Sequence, residues 1–154
     1  MPSYNATGLI LHRIDLGEND RILTVFTREK GKISAVAKGA RRSSSRFSGA
    51  TELFMQARLQ LGVGRTLDVV SQCEIQNSFV ALRSDLQRLV RATYFCELLD
   101  RFTGDRDESS SQELFDLTVG ALLHLESPLK MVIRLVIPAL PTIPLQIKIL
   151  LVLI

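Results

Sequence analysis

The sequence predicts a small closed β-barrel followed by a partial helical domain. Five segments with the two-residue apolar period of strands lie within roughly the first 75 residues, and glycine-rich turns separate them. Apolar residues then recur at helical spacing. Five short strands favour a closed barrel over an open sheet, because closure leaves no long unpaired edge. We therefore expect three regions, at 1–80, 81–127 and 128–154.

The first three strands are predicted where β-branched and aromatic residues are frequent. They cover residues 7–14, 21–27 and 32–38. Turn-forming residues at 15–20 separate the first two strands, and Gly31 supplies the positive φ that a tight hairpin turn needs. One face of the third strand carries Ile33, Ala35 and Ala37, so we expect that face to be buried.

Alternation of apolar and polar residues predicts the fourth and fifth strands, on either side of a turn at 62–65. The predicted buried face of the fourth strand consists of Met55, Ala57, Leu59 and Leu61. One face of the fifth strand consists of Leu67, Val69, Ser71, Cys73 and Ile75. Each strand therefore has one side available for a barrel core.

Two helices are predicted after residue 80, each beginning at a capping box. Ser84 and Gln87 form the first box, and Ser110 and Glu113 form the second. The first helix ends near Phe102, and its predicted inward face consists of Leu86, Leu89, Val90, Thr93, Cys96 and Leu99. The inward residues predicted for the second helix are Leu114, Leu117, Ala121, Leu122 and Leu125. The polar residues between the helices are interpreted as a solvated connector.

Positive charge is concentrated between the second strand and the fourth. Residues 28–46 contain seven Lys or Arg and one acid, a local charge of +6, whereas the whole chain carries +3. Their second half, 38–46, has four cations and no acid, and its Gly, Ala and Ser content predicts a flexible loop. Cations at this density repel one another unless an anionic partner neutralises them. The pattern is typical of a loop that binds nucleic-acid phosphates, and the alternative is a solvated surface loop.

The candidate DNA-binding residues are therefore all cations. Those expected to contact phosphates are Arg28, Lys32, Lys38, Arg41, Arg42 and Arg46, with an extension of the path over Arg13, Arg21 and Arg65. Phosphate contacts carry no sequence information, so we expect binding that tolerates most sequences. Stacking on bases has little support, because the chain has no Trp and because Phe26, Phe47 and Phe54 fit a core equally well.

Other functional classes lack the residues that they need. Cys73 and Cys96 lie far apart in apolar patterns, which predicts two reduced, buried thiols without a disulfide or a metal. His12 and His124 have no Cys, Asp or Glu at ligand spacing. No nucleophile or acid–base pair stands out, so we expect neither an enzyme nor a cofactor. The first residues lack a secretory signal, which predicts a cytoplasmic protein.

Residues 128–154 differ in character from the rest of the chain. Two aliphatic runs, 129–137 and 145–154, are separated by three prolines, and neither reaches the roughly 20 apolar residues that a membrane helix needs. Two interpretations stay open. The segment is either a buried hydrophobic tail or an unnatural continuation of the domain, as a frameshift or truncation would produce. We favour the second.

The predicted strand set with its loops resembles an OB-fold. Several segments are also similar to the RecO family of recombination mediators. They are GLIL at 8–11, GENDRIL at 17–23, FTREKGKI at 26–33 and AKGARR at 37–42. Their order and spacing match across residues 4–126. The resemblance implies an N-terminal OB domain, a helical domain, and binding to single- and double-stranded DNA.

The same resemblance implies a function in DNA repair. Members of the family anneal DNA strands and load the strand-exchange recombinase together with the partner RecR, and they recognise the tail of single-strand-binding protein. The family's helical domain is longer and often carries a zinc-binding cysteine cluster, which this sequence does not supply. The rival interpretations are a protein-interaction module whose basic loop binds an acidic protein, and a hydrolase of nucleic acid.

Overall fold

The computed structural model describes residues 2–47 and 49–127, so the predicted segment 128–154 lies outside the described residues. The strands are β1 (Ser3–Leu16), β2 (Asp20–Thr27), β3 (Gly31–Ala37), β4 (Gln56–Gly62) and β5 (Asp68–Asn77). The helices are α1 (Val80–Ser84), α2 (Leu86–Phe102) and α3 (Ser111–Glu126). None of these helices is long and apolar enough to cross a membrane.

The strands close into a barrel, as predicted, and their order is β1-β2-β3-β5-β4. β1 is longer than expected because it pairs antiparallel with two neighbours, with β4 along its first half and with β2 along its second. Closure is completed by a short parallel contact between β3 and β5, in which Ala35 faces Asp68 and Val36 faces Val69. This OB-like barrel carries the basic residues, and the helices follow it in the chain.

The core of the barrel confirms the faces predicted for β3 and β4. Ile33, Ala35 and Ala37 are buried, and so are the inward residues of β4. They pack with side chains from the other strands, including Ile10, Leu23, Val25 and Val70. Burying one such aliphatic side chain contributes about 1.5–3 kcal/mol, so this cluster is the main source of stability for the barrel.

The face predicted for the fifth strand is only partly correct. Val70 is buried in the core instead of Val69, and Ile75 is 46% exposed. The register between β4 and β5 shifts between Gln60 and Leu61. Such a bulge places one extra residue in a strand, so side chains before and after it alternate out of phase. A strict period of two cannot predict that change.

The inward face predicted for the first helix is wrong for Leu86, Val90 and Thr93, although Leu89 packs against the apolar core. Leu86 is 74% exposed and Val90 is 58% exposed, whereas Ala92 and Phe95 are buried. Thr93 is exposed too, while the expected Cys96 and Leu99 are buried. α2 has apolar residues on two sides, and only its contact with the barrel decides which side is covered. For α3 the prediction is confirmed, with Leu114, Leu122 and Leu125 buried.

The predicted capping boxes are also corrected. Asp85, not Ser84, caps α2, and its carboxylate accepts hydrogen bonds from the backbone N–H groups of Gln87 and Arg88 at 2.9 and 3.1 Å. Ser110 is the N-cap of α3 but its side chain makes no capping bond. Ser111 instead donates its hydroxyl to the carbonyl of Arg28, 2.9 Å away. The start of α3 is therefore attached to the barrel.

A second apolar cluster joins the barrel to the helices. Leu9, Leu11 and Phe26 on the outside of the barrel pack with residues of all three helices, such as Leu82 and Phe115. Both thiols are free; Cys96 is buried as predicted, whereas Cys73 is only partly buried. Burial raises the pKa of Cys73 to about 11 and that of Cys96 to about 12, so both stay protonated at neutral pH.

Candidate nucleic-acid interface

The candidate cations form two groups at opposite ends of β2. We call the β1–β2 turn with residues 38–47 the loop end, and we include the Arg13–Glu52–Arg21 cluster and the carboxylates that contact this region. We call the β2–β3 turn with the connector 103–110 the hairpin end, and we include Lys32 and the carboxylates that pair with these cations. The eight residues of β2 separate these ends. At about 3.3 Å per residue this is a distance of about 25 Å. A phosphate held at one end is thus out of reach of cations at the other.

The loop end is a series of hydrogen-bonded turns, which corrects the prediction of a flexible loop. Gly39 has a φ of +67°, and its N–H donates to the carboxylate of Asp20 at 2.7 Å. The N–H of Arg41 donates to the carbonyl of Asn19 at 2.9 Å. Phe47 inserts its ring into the barrel core. The loop is therefore fastened to the β1–β2 turn at its start and to the core at its end.

Two arginines of the loop end are held in place but keep exposed donors. Arg41 donates to the carbonyl of Gly17 at 2.7 Å and lies 3.4 Å from the Asp15 carboxylate. Arg46 donates to the carbonyl of Ser71 at 2.9 Å, and its guanidinium lies 4.9 Å from the centre of the Phe47 ring. Each guanidinium has five N–H donors, so both can still contact a phosphate.

Lys38 and Arg42 are the loop-end cations that are available without rearrangement. Both are exposed. Within the described part of the chain, neither side chain has an ion pair or a hydrogen bond. The N–H of Arg42 donates to the carbonyl of Gly39 at 3.1 Å, so the turn that carries both side chains is ordered.

The three cations proposed to extend the path are placed differently. Arg13 lies 2.6 Å from Glu52, and Arg21 donates to Glu52 at 3.1 Å and to Thr51 at 3.0 Å. These two arginines hold the loop before β4. Arg65 is exposed in the β4–β5 turn. The parallel contact between β3 and β5 places that turn towards the start of β3, away from Lys38.

At the hairpin end, the barrel cations are paired with acids of the helical part. Arg28 makes two parallel hydrogen bonds to the carboxylate of Asp116, at 2.9 and 3.0 Å. Lys32 lies 3.1 Å from the carboxylate of Asp100 and also donates to its carbonyl at 2.8 Å. The structure therefore does not bring Arg28 and Lys32 together with the cations of the loop end.

The acidic residues of the connector are not simply solvated, which corrects that interpretation. Glu108 pairs with Lys30 at 2.8 Å, and Asp105 lies 3.6 Å from Lys32. His12 is also less isolated than its sequence position indicates, because its Nε2 lies 3.2 Å from Glu97. These contacts join residues far apart in the chain, so no local pattern signals them.

Sequence reasoning also missed a polar cluster at the barrel closure. Asp68 is 0% exposed and accepts hydrogen bonds from the Tyr4 hydroxyl at 2.5 Å, Arg106 at 2.9 Å and the N–H of Gly64 at 3.1 Å. Burial acts to raise the pKa of Asp68, but these hydrogen bonds hold it below its usual value. Burial and the bond to Asp68 raise the pKa of Tyr4 to about 12.

Aromatic stacking on bases gains no support from the barrel. Phe26, Phe47 and Phe54 are all buried, as the core interpretation expected. Within residues 2–47 and 49–79, no aromatic side chain is exposed. The interface that this barrel offers is therefore one of cations. Among the described residues, no group of three or more His, Cys, Asp or Glu side chains could hold a metal ion.

Comparison with known families gives two matches in chain order. Residues 1–79 match the family model described as "Recombination protein O N terminal". Residues 83–137 match the model described as "Recombination protein O C terminal". The second match continues ten residues past Ser127, where the described part of the chain ends.

Curated relatives carry the same family name. The DNA repair protein RecO of Symbiobacterium thermophilum is 45% identical over 118 residues, which are 77% of this chain and 47% of the relative. The DNA repair protein RecO of Bifidobacterium adolescentis is 42% identical over 123 residues, which are 79% of this chain and 50% of the relative. The DNA repair protein RecO of Gloeobacter violaceus is 42% identical over 125 residues, which are 80% of this chain and 46% of the relative. The chain spans about half the length of these relatives, and it belongs to the RecO family of DNA repair proteins.

Proposed function

We propose that this chain binds DNA during recombinational repair and that the loop end is its contact surface. The observation that carries the proposal is the exposed cluster of Lys38, Arg41, Arg42 and Arg46 on hydrogen-bonded turns. Each cation that neutralises a phosphate releases condensed counterions, which favours binding. Because the turns are ordered already, binding costs little conformational entropy of the backbone.

The wider role that we propose is that of a recombination mediator. It anneals single strands and, with RecR, helps to load the strand-exchange recombinase, and it also contacts duplex DNA and the tail of single-strand-binding protein. Family membership supports this role. In our proposal the protein acts by binding alone, without catalysis or a cofactor.

The loop end is tested with the double variant Lys38→Ala/Arg42→Ala. Its matched control is Arg58→Ala/Arg91→Ala, which removes two other exposed cations and changes the net charge equally. Affinity for a single-stranded oligonucleotide is measured over a range of salt concentrations. Each lost contact lowers the slope of log K against log salt by about 0.7, so the loop variant should lose about 1.4 and the control much less.

The same measurements separate the rival functions. An unchanged slope in the loop variant means that these residues do not contact phosphates. Binding to an acidic protein that is unaffected by salt, without DNA binding, favours the interaction module. We also expect oligonucleotides of different sequence to bind alike. A preference above roughly a hundredfold, or about 2.7 kcal/mol, contradicts recognition through phosphates alone.

A further inference from the structure

The barrel and the helical part carry opposite charges where they meet at the hairpin end. Arg28, Lys30 and Lys32 belong to the barrel, and the carboxylates that pair with them belong to α2, α3 and the connector. The connector lies close to the barrel at this end. The N–H of Arg106 donates to the carbonyl of Lys32 at 2.8 Å, and a side chain at Gly31 would collide with the carbonyl of Asp107. Three barrel cations are thus paired with acids of the helical part.

The two ends of β2 consequently differ in net charge. The loop end has six cations and four acids, which are Arg13, Arg21, Lys38, Arg41, Arg42 and Arg46 with Asp15, Glu18, Asp20 and Glu52. The hairpin end has four cations and seven acids, which are Arg28, Lys30, Lys32 and Arg106 with Glu29, Asp68, Asp100, Asp105, Asp107, Glu108 and Asp116. The first end attracts a polyanion and the second repels it.

We propose that the carboxylates of Glu108 and Asp116 exclude DNA from the hairpin end and thereby confine its path to the loop end. This inference rests on the proposed function, because it defines where on the barrel the nucleic acid lies. The Asp116 carboxylate occupies two of the five N–H donors of Arg28, so a phosphate that contacts the remaining donors must lie beside that negative charge. The loop end cannot offset that repulsion, since about 25 Å exceeds the screening length of about 8 Å at physiological salt.

The test is the double variant Glu108→Gln/Asp116→Asn. Both side chains are 54% exposed, so we expect little change in stability. The variant releases Lys30 and Arg28 for phosphates. The slope of log K against log salt should therefore steepen by about 1.4 on single-stranded DNA, and affinity should rise. Circular dichroism and thermal unfolding confirm that the variant is folded.

The matched control is Glu74→Gln/Asp85→Asn, which removes two exposed acids that lie outside both ends and do not pair with barrel cations. Asn keeps the side-chain oxygen with which Asp85 caps α2. The net charge of the control changes equally, but it releases no barrel cation, so its slope should stay near that of the unmodified protein. Adding Arg28→Ala and Lys30→Ala to the Glu108→Gln/Asp116→Asn variant should remove the gain. Equal slopes for the two double variants overturn the inference.

Heparin, a second polyanion, tests this inference independently of the proposed function. If the unmodified protein does not bind DNA, the proposed function fails, and exclusion is then read from a heparin column. The Glu108→Gln/Asp116→Asn variant should elute at a higher salt concentration than the Glu74→Gln/Asp85→Asn control. Elution of both at the same salt concentration overturns the exclusion as well.

Discussion

Asp68→Ala tests whether one buried carboxylate holds the barrel closed. Asp68 begins β5, where that strand makes its two-residue contact with β3. Its side chain binds Tyr4 of β1, Gly64 of the β4–β5 turn and Arg106 of the connector. The substitution therefore weakens the closure of the barrel and the attachment of the helical part together.

The expected loss follows from these three hydrogen bonds. A hydrogen bond to a charged group contributes about 1.5–3 kcal/mol. The Arg106 side chain is 48% exposed and regains water when Asp68 is removed, so its bond counts at the low end of this range. We expect the free energy of unfolding to fall by about 3–5 kcal/mol, because the Tyr4 hydroxyl and the Gly64 N–H lose a charged hydrogen-bond partner inside the protein. For a chain of this length, Tm should fall by about 10 °C.

Urea and thermal unfolding measure this loss, with Asp105→Ala as the control. Asp105 is an acid of the connector that also lies near β3, but it is 80% exposed and lies 3.6 Å from Lys32. Its removal should change stability by less than about 0.5 kcal/mol. A loss below about 1 kcal/mol for Asp68→Ala would refute the reasoning, since it would mean that the buried bonds are replaced by water at no cost.

The pH dependence of Asp68→Ala has a definite sign. The folded-state pKa of Asp68 lies below its ordinary value of 3.8, so the unfolded state binds the proton more readily. The stabilisation by the ionised carboxylate is complete above pH 3.8 and is lost as the pH falls through the folded-state pKa. The difference in stability between the unmodified protein and Asp68→Ala should therefore narrow under acid. A difference that stays constant would contradict this assignment.

Two further predictions concern Tyr4 and the end of the described chain. The pKa of Tyr4 is raised from 10.0 to about 12, so its stabilisation is complete below pH 10 and is lost between pH 10 and 12. Tyr4→Phe should lack that alkaline decline in Tm, and parallel curves would contradict the assignment. A chain that ends at Ser127 should keep its barrel and its DNA affinity and be more soluble. A Tm several degrees lower would instead mean that 129–137 supplies buried aliphatics, each contributing about 1.5–3 kcal/mol.

Local sequence patterns correctly predicted the features that depend only on residues close together in the chain. Alternation along β3 and β4 predicted Ile33 and Leu59 as core residues, and Gly31 adopts the positive φ expected of its turn. The concentration of cations at 28–46 was visible from the sequence as well. These features depend on strand period and on backbone sterics, which act over a few residues.

Tertiary structure decided the features that depend on partners distant in the chain. Arg28 and Lys38 look alike in sequence, yet Arg28 binds Asp116, 88 residues away, while Lys38 points to solvent. The buried side of α2 was likewise set by the barrel against which it packs. The sequence states whether a residue is charged or apolar. It does not state which distant group will neutralise that charge or cover that apolar side chain. The basic stretch was therefore determined by the sequence, and its division into a paired hairpin end and an open loop end was determined by the fold.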